Sequence, residues 1–456
     1  MAKTKDLTVG NPLSLIIKFA LPLLGGILFQ QAYNIADAAI VGRCLGASAL
    51  AAVGASSSAQ FFTLGFCFGT MTGFAVPVAQ RFGARDYEGM RRFVFCAFVL
   101  TAATALVMTS LCAFFCDEIL AMLRTPQDIY KDSWLYLFII FLGIPFIILY
   151  NWLSSLLRAV GDSKTPFAFL VFSTVLNIGL DILFIVCFGW GVAGAAFATV
   201  ISQAASSLLC LLFIHAKFEI LRLKKADRVF DKKCAKTLLM IGVPMGLQFS
   251  ITAIGSMIMQ SANNALGTVY VSAFSAASKI KQFAISPFDA LSAAVSTFAS
   301  QNYGAHKFDR IKKGVGQGLA AGTLLGAALA AILVFFGRQL SMIFISSQNV
   351  DVLDASEKFL FISGFFYLVI PFLNVSRLTV QGLGYSNRAI ISGVIEMFAR
   401  IIVSFTLVPM MGWTAICFCD QTAWVGATFF IFPYCLYLIG RLQKEAQSEQ
   451  RIPAEN

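Results

Sequence analysis

The chain has 456 residues, of which 58% are hydrophobic and only 12% are charged. A soluble domain has about 25% charged residues, so this composition indicates an integral membrane protein and excludes an ordinary soluble one. The formal net charge is +11, but the basic residues lie mainly in alternate loops, and this predicts membrane topology and no nucleic-acid partner.

Apolar stretches long enough to cross a bilayer as helices recur along the whole chain, about six in each half. The fold class is therefore predicted to be all-α integral membrane, with about twelve transmembrane helices in two six-helix lobes. The predicted spans are 13–39, 47–78, 93–116, 133–158, 164–188, 191–214, 236–262, 270–300, 314–336, 356–380, 387–409 and 413–439.

An internal repeat relates the two halves. The segment Ala79–Asp86 (AQRFGARD) returns as Ser300–Lys307 (SQNYGAHK), 221 positions later (301 − 80). Six spans per half give both halves the same orientation, so the pseudo-twofold axis is predicted to lie along the membrane normal. A long repeat of this kind in a membrane chain is typical of an alternating-access transporter.

The longest hydrophilic stretch separates the two halves. We predict an N-lobe at 1–214, a cytoplasmic linker at 215–235, a C-lobe at 236–440 and a cytoplasmic tail at 441–456. Lys and Arg concentrate at both termini and in the loops after even-numbered spans, so both termini are predicted to be cytoplasmic in a multi-pass protein of the plasma membrane. The same basic residues are predicted to contact anionic membrane lipids.

The residues of metal and enzyme chemistry are sparse. The chain has eleven cysteines, mostly inside apolar spans, and only two histidines, His215 and His306. There is no CxxC, HExxH or nucleophile elbow, so the protein is predicted not to be an enzyme and to need no cofactor. No metal is predicted, with the exception of Na⁺ at the group of polar residues described next.

A first group of polar residues lies inside the spans of the N-lobe, where a charged side chain costs roughly 2.5–3.5 kcal/mol. Asn177 and Asp181 are four residues apart and share one helix face. Asp37 and Thr199 lie at similar depth on two other helices. Carboxylate, amide and hydroxyl oxygens suit a small cation, and two poorly hydrated carboxylates hold a proton more readily than free ones. The alternatives are a structural hydrogen-bond network, or an Asp37 at the membrane interface that simply contacts water.

The carboxylate pair has no counterpart in the second half. At an offset of 221 positions Asp37 aligns with Ile258, and at 223 Asp181 aligns with Ser404. If these residues bind a cation, they are predicted to do so in the N-lobe only.

A second group of polar residues lies within the C-lobe spans. Glu396 and Arg400 are again spaced to pair along one helix face, and Lys279 and Lys281 lie near the middle of their span. A self-neutralising ion-pair network and a substrate site are equally open interpretations of this group. Proline residues mark bends in the spans, and Pro22 is predicted to be a hinge in the first one.

These features together resemble the multidrug and toxic compound extrusion (MATE) family, and the resemblance covers nearly the full length. It rests on the two sextets of spans, the paired Gln-x-x-Gly-Ala loops and the loop Leu157–Asp162 (LRAVGD). It implies the prokaryotic branch with an N-lobe cation site, in which a backbone carbonyl at Ala195 joins Asp37 and the other first-group residues as a ligand. Some members use a glutamate on the seventh helix, where this chain has Gln248, which is a further candidate for the C-lobe polar network or substrate site.

The resemblance implies an antiporter that exports amphipathic, often cationic small molecules in exchange for H⁺ or Na⁺ by alternating access. We expect membrane lipids as further partners and a monomer. A related alternative on the same architecture is a flippase of a lipid-linked oligosaccharide or similar amphiphile, which the basic residues Lys279, Lys281 and Arg400 would favour.

Overall fold

The structure, a computed structural model, describes residues 4–123 and 125–451, except for the side chains of 449–451. Over these ranges the chain forms α-helices joined by short π, 3-10 and irregular segments, without a β-strand, which confirms the predicted all-α class. The helices are α1 (Pro12–Leu45), α2 (Ala47–Gly83), α3 (Tyr87–Phe114), α4 (Cys116–Met122), α5 (Gln127–Leu142), α6 (Ile144–Ala159), α7 (Lys164–Asp181), α8 (Gly191–Lys217), α9 (Lys232–Asn264), α10 (Thr268–Gly304), α11 (Phe308–Ser341), α12 (Val350–Phe366), α13 (Ile370–Gly382), α14 (Ser386–Ile402), α15 (Val408–Met411) and α16 (Trp413–Arg451).

Most of these helices are long and apolar enough to cross a bilayer. In the described part of the chain there are nine such spans, or eleven if two bent pairs, α5 with α6 (49°) and α12 with α13 (58°), each count as one. The predicted span at 270–300 is also one helix, α10, but it carries Lys279, Lys281 and Asp289 and is less apolar than the others. The last helix continues through residues 441–451 of the predicted tail, and residues 452–456 lie outside the described ranges.

The chain divides into two compact units whose boundaries differ from those of the predicted lobes. The first unit contains Gly25–Ser250 and the described residues up to Asp6, and the second contains Leu7–Leu24 and the chain from Ile251 onward. Helices α1 and α9 therefore each contribute to both units. The physical reason is burial: Ile16 and Phe19 of α1 lie in the core of the second unit, whereas Leu238 of α9 belongs to the core of the first.

Close helix packing in the first unit depends on glycine. A Cβ added to Gly69 of α2 would lie 2.5 Å from the backbone oxygen of Met245. A Cβ on Gly246 of α9 would lie 2.3 Å from the Thr70 hydroxyl. Because neither contact leaves room for a methyl group, small residues at these positions allow the two helices to approach each other directly.

The internal repeat is present in the backbone of the two units. Helices α2 and α10 both have 37 residues. Each is preceded by a glycine with positive φ, Gly46 at 91° and Gly267 at 102°. The loops that follow them each contain a non-glycine residue in the left-handed region, Arg85 at 59° and His306 at 55°. These pairs are 221 positions apart, so the repeated sequence encodes a repeated turn.

Candidate functional site

Helices α1, α7 and α8 bring together side chains that the sequence pointed to in the first unit. The amide nitrogen of Asn177 on α7 donates a hydrogen bond of 3.4 Å to the Thr199 hydroxyl on α8. The hydroxyl of Tyr33 on α1 lies 3.5 Å from the same Thr199 oxygen. Ala195 lies one turn before Thr199 on α8 and is 1% exposed. Three helices thus converge on a single hydroxyl.

The two carboxyl groups of this site interact with each other. The side chain of Asp37 on α1 and that of Asp181 at the end of α7 are hydrogen-bond partners. Asp181 is fully buried and Asn177 is 1% exposed. Oδ1 of Asp37 is also buried and accepts no hydrogen bond from the described residues. Two carboxyl groups in contact within a protein interior repel each other strongly when both are ionised. A cation or a proton bound between them relieves this repulsion.

Local sequence explains how α7 and α8 hold these groups in place. Directly after Asp181 the helical ladder widens into a π segment, Ile182–Cys187. Segments of this kind inside α-helices often occur at functional sites. Next to the turn that follows, the rings of Phe184 and Trp190 stack with their centroids 4.9 Å apart. Gly194 lets α8 approach the π segment closely, because a Cβ at this position would lie 3.1 Å from the Cβ of Phe184.

Three polar residues of this site were not identified from the sequence. Tyr33 lies four residues before Asp37 on α1, and that helical spacing would have revealed it. Tyr136 on α5 is 5% exposed and lies within electrostatic range of both carboxyl groups. The side chain of Gln60 on α2 hydrogen-bonds to Tyr136. Gln60 is a polar residue in the middle of a span and so carried a signal, whereas an aromatic residue such as Tyr136 carried none.

The oxygen-rich donor set determines what this site can bind. Two carboxylates, the Thr199 hydroxyl, the amide oxygen of Asn177 and the carbonyl group of Ala195 are hard ligands of the type that small cations such as Na⁺ prefer. The same carboxyl pair can instead hold a proton between its oxygens. The arrangement is therefore able to hold a monovalent cation or a proton.

The second unit contains a continuous chain of buried ion pairs. Lys281 on α10 lies 2.5 Å from Asp420 on α16, and Asp420 also accepts a hydrogen bond of 2.9 Å from Arg400 on α14. Arg400 lies 3.6 Å from Glu396, which is further paired with Arg377 on α13. The side chains of all five are at most 14% exposed. This ion-pair chain links four helices of the second unit.

Two residues of this ion-pair chain, Arg377 and Asp420, were not identified from the sequence, although both are charged residues inside predicted spans. Two residues that were predicted for the C-lobe polar group lie outside the ion-pair chain. Lys279 is exposed, with its ammonium 5.5 Å from the Phe344 ring. Gln248 is buried but lies in the first unit, because α9 joins the second unit only from Ile251 onward.

Each charged residue of this ion-pair chain has a partner of opposite sign. Lys281, Arg377 and Arg400 supply three positive charges, and Asp420 and Glu396 supply two negative ones. Asp289 lies within electrostatic range of Arg377 and accepts a hydrogen bond of 3.1 Å from Asn374. Buried charges that pair with opposite charges fit a structural role better than a site for a charged substrate.

Comparison with known proteins points to one family. The sequence model of the MatE family matches the chain twice, over residues 22–183 and 244–406. The probable multidrug resistance protein YpnP of Bacillus subtilis is 32% identical over 378 residues, 82% of each chain. The probable multidrug resistance protein YoeA of the same organism is 29% identical over 373 residues, 80% of each chain. A solved outward-facing structure of a multidrug resistance MATE family transporter of the MOP superfamily has a TM-score of 0.89 at 22% identity, covering 97% of this chain and 99% of that one.

Proposed function

The chain belongs to the MatE family of multidrug efflux transporters, and we propose that it couples the export of amphipathic, often cationic small molecules to the entry of H⁺ or Na⁺. It is a multi-pass membrane protein that handles small-molecule substrates. The proposed coupling site consists of Asp37, Asn177, Asp181, Ala195 and Thr199. The flippase alternative draws no support from the relatives, which are named as multidrug resistance proteins.

The observation that carries this proposal is the carboxyl pair of the half-buried Asp37 and the buried Asp181 in one unit of a repeated fold. The π segment of the second unit, Val403–Leu407, begins directly after Ile402. In the structure Ile402, and not the aligned Ser404, therefore occupies the place that Asp181 has before the first π segment, and neither residue is acidic. The ion-pair chain of the second unit joins opposite charges, which neutralise each other. The carboxyl pair instead brings two groups of the same charge together, and a bound cation or proton relieves their repulsion, so this pair fits a role in ion coupling.

Cation binding can act on the rest of the molecule through α1. This helix carries Asp37 in its first-unit part and Pro22 in its second-unit part, and it passes between the units at Leu24–Gly25. Pro22 has no N–H to donate to the preceding turn, so the helix bends there at low cost. The ion drives export only if it binds the two transport states with different affinity. We propose that bending of α1 at Pro22 provides that difference.

The test is efflux of ethidium from everted membrane vesicles, with an H⁺ gradient and a Na⁺ gradient imposed separately. We expect one gradient to drive transport in the wild type. Asp37→Asn and Asp181→Asn are expected to abolish the gradient-driven part at normal expression, because an amide cannot carry the charge that the cation neutralises. Asp132→Asn, an exposed position on α5 of the same unit, is the matched control. Full gradient-driven efflux in both site variants would overturn the proposed site, and ethidium retention under either gradient would favour a flippase.

A further inference from the structure

The hydrophilic segment between α8 and α9 is held firmly against the first unit. Asp227, 2% exposed, accepts a hydrogen bond of 2.7 Å from the Arg91 guanidinium on α3 and one of 2.9 Å from the backbone N–H of Lys224. Further along, the backbone N–H of Asp231 donates to the Cys96 sulfur at 3.4 Å. The backbone of this segment is therefore held in a defined position against the first unit.

A narrow apolar crevice lies beneath this segment. It has a volume of about 210 Å³ and is lined by residues of α3, α6, α8 and the segment itself. Nine of its twelve lining residues are apolar, among them Trp152 at its buried side and Phe98 on α3. Phe98 is 42% exposed, so the crevice opens onto the surface of a membrane-spanning helix. Its shape and lining suit a segment of an acyl chain.

The three remaining lining residues are His215, Arg222 and Arg228. Arg222 donates hydrogen bonds of 2.6 and 2.9 Å to the last carbonyl groups of α8, which fixes its guanidinium beside the crevice. Arg228 is exposed and has no ion-pair partner among the described residues. The next two residues, Val229 and Phe230, are apolar and 61% and 46% exposed. Exposed apolar residues next to free basic ones are typical of a segment at a membrane interface.

We propose that this crevice is a binding site for an anionic phospholipid, with one acyl chain between α3, α6 and α8 and the phosphate on Arg228 and Arg222. An apolar cleft with a cationic rim selects an amphiphile of the opposite charge. The cationic compounds that we propose as export substrates would be repelled by the same rim. The site is thus separate from the export path, and the lipid would anchor the segment that joins α8 to α9.

Native mass spectrometry of the purified full chain tests the headgroup. At equal lipid concentration we expect phosphatidylglycerol adducts to outnumber phosphatidylcholine adducts, and Arg228→Ala to weaken phosphatidylglycerol binding about fivefold, since one basic residue contributes about 1 kcal/mol. Lys313→Ala, an exposed basic position on α11, is the matched control and should leave binding unchanged. Equal adducts for the two lipids, or equal losses in the two variants, would overturn the proposal.

The acyl chain is tested by fluorescence in vesicles that contain brominated lipids. Trp152 is 1% exposed, so bromine reaches it only from within the crevice. We expect brominated phosphatidylglycerol to quench more than brominated phosphatidylcholine, with the difference lost in Trp152→Phe and reduced in Arg228→Ala. Inorganic phosphate in excess should not remove this difference. If it does, or if Trp152→Phe leaves the difference intact, the site is one for free phosphate or does not exist.

Discussion

At the scale of single residues, the first-unit site is built around Thr199. Its hydroxyl oxygen accepts a hydrogen bond from the side-chain amide of Asn177 and lies next to the hydroxyl of Tyr33. The two carboxyl groups interact with each other nearby. In this arrangement the neutral side chains hold the geometry, and in the proposed mechanism the carboxyl pair supplies the charge that the coupling ion neutralises.

The hydroxyl of Thr199 can be tested with two matched substitutions. Thr199→Val keeps the shape of the side chain and removes the oxygen, whereas Thr199→Ser keeps the oxygen. We expect the valine variant to need about fivefold more cation for half-maximal transport, the effect of losing one interaction worth about 1 kcal/mol. The serine variant should remain within about twofold of the wild type. Equal effects in the two variants would show that the oxygen is not a ligand.

Four residues of this site could be predicted from the sequence because each is polar inside an apolar span. Asn177 and Asp181 share a helix face by their spacing, and Asp37 and Thr199 match them in depth. Tyr136 could not be predicted, because its burial beside the carboxyl groups depends on how α5 packs in the first unit. Helix packing of this kind is a tertiary property that periodicity does not reveal.

At the scale of helices, the ion-pair chain of the second unit and Pro22 of α1 have different expected roles. The ion-pair chain joins α10, α13, α14 and α16 through opposite charges. Its removal should therefore affect stability first. Pro22 lies in a helix shared by both units, so its replacement should affect transport first.

Asp420→Asn tests the ion-pair chain. The substitution leaves Lys281 and Arg400 without their shared anion in a buried environment, and we expect a loss of about 3–5 kcal/mol in the free energy of unfolding. The control is Glu88→Gln, whose partner pair with Arg92 is 66% and 50% exposed and should contribute about 0–1 kcal/mol. Thermal unfolding in detergent measures both. An Asp420→Asn protein of normal stability that no longer transports would assign this chain to the substrate path instead.

Pro22→Ala tests the hinge. Alanine restores the backbone N–H that proline lacks and so opposes bending of α1 at this residue. We expect the variant to bind the coupling ion with near-normal affinity but to transport ethidium severalfold more slowly. The corresponding change in the repeat, Pro244→Ala in α9, is a useful comparison because α9 carries no carboxyl pair. Normal transport by Pro22→Ala would rule out bending at this residue as the coupling step.

The segment between α8 and α9 gives a prediction about pH. Burial opposes ionisation of Asp227, but the backbone N–H of Lys224 and the Arg91 guanidinium outweigh it and lower the pKa of this carboxyl below its usual value of 3.8. Its stabilising effect is therefore complete above that pH and is lost only as the pH falls through the lower folded-state value.

We accordingly expect Asp227→Asn to expose the basic segment to trypsin, with faster cleavage between α8 and α9 than in the wild type. The ratio of the two cleavage rates should stay constant from pH 6 to 8.5, because Asp227 remains ionised throughout that range. A ratio that changes within this range would show that another group holds the segment.

At the scale of the whole molecule, the protein combines a repeated framework with chemistry that is not repeated. The family model matches the chain twice, and the turns around Gly46 and Gly267 agree between the units. The carboxyl pair is present in the first unit and the ion-pair chain in the second. The sequence predicted this contrast because the repeat could be aligned residue by residue.

The division of helices α1 and α9 between the two units could not be predicted in the same way. Residues 7–24 and 232–250 are both mainly apolar, and hydrophobicity does not show which core receives them. Their assignment follows from contacts such as those of Ile16 and Phe19, which are fully or almost fully buried in the second unit. Lobe boundaries drawn from the linker alone therefore differ from those of the folded chain.

The most direct test of the central claim is ion movement driven by the exported compound. Purified protein in liposomes is given an ethidium gradient without any ion gradient, and dyes sensitive to pH or Na⁺ report the ion on the far side. Antiport predicts that ethidium flow drives H⁺ or Na⁺ in the opposite direction in the wild type and in Asp132→Asn, and that Asp181→Asn abolishes this ion flow. Ethidium flow without counter-movement of either ion in the wild type, or undiminished ion flow in Asp181→Asn, would contradict coupling at the carboxyl pair.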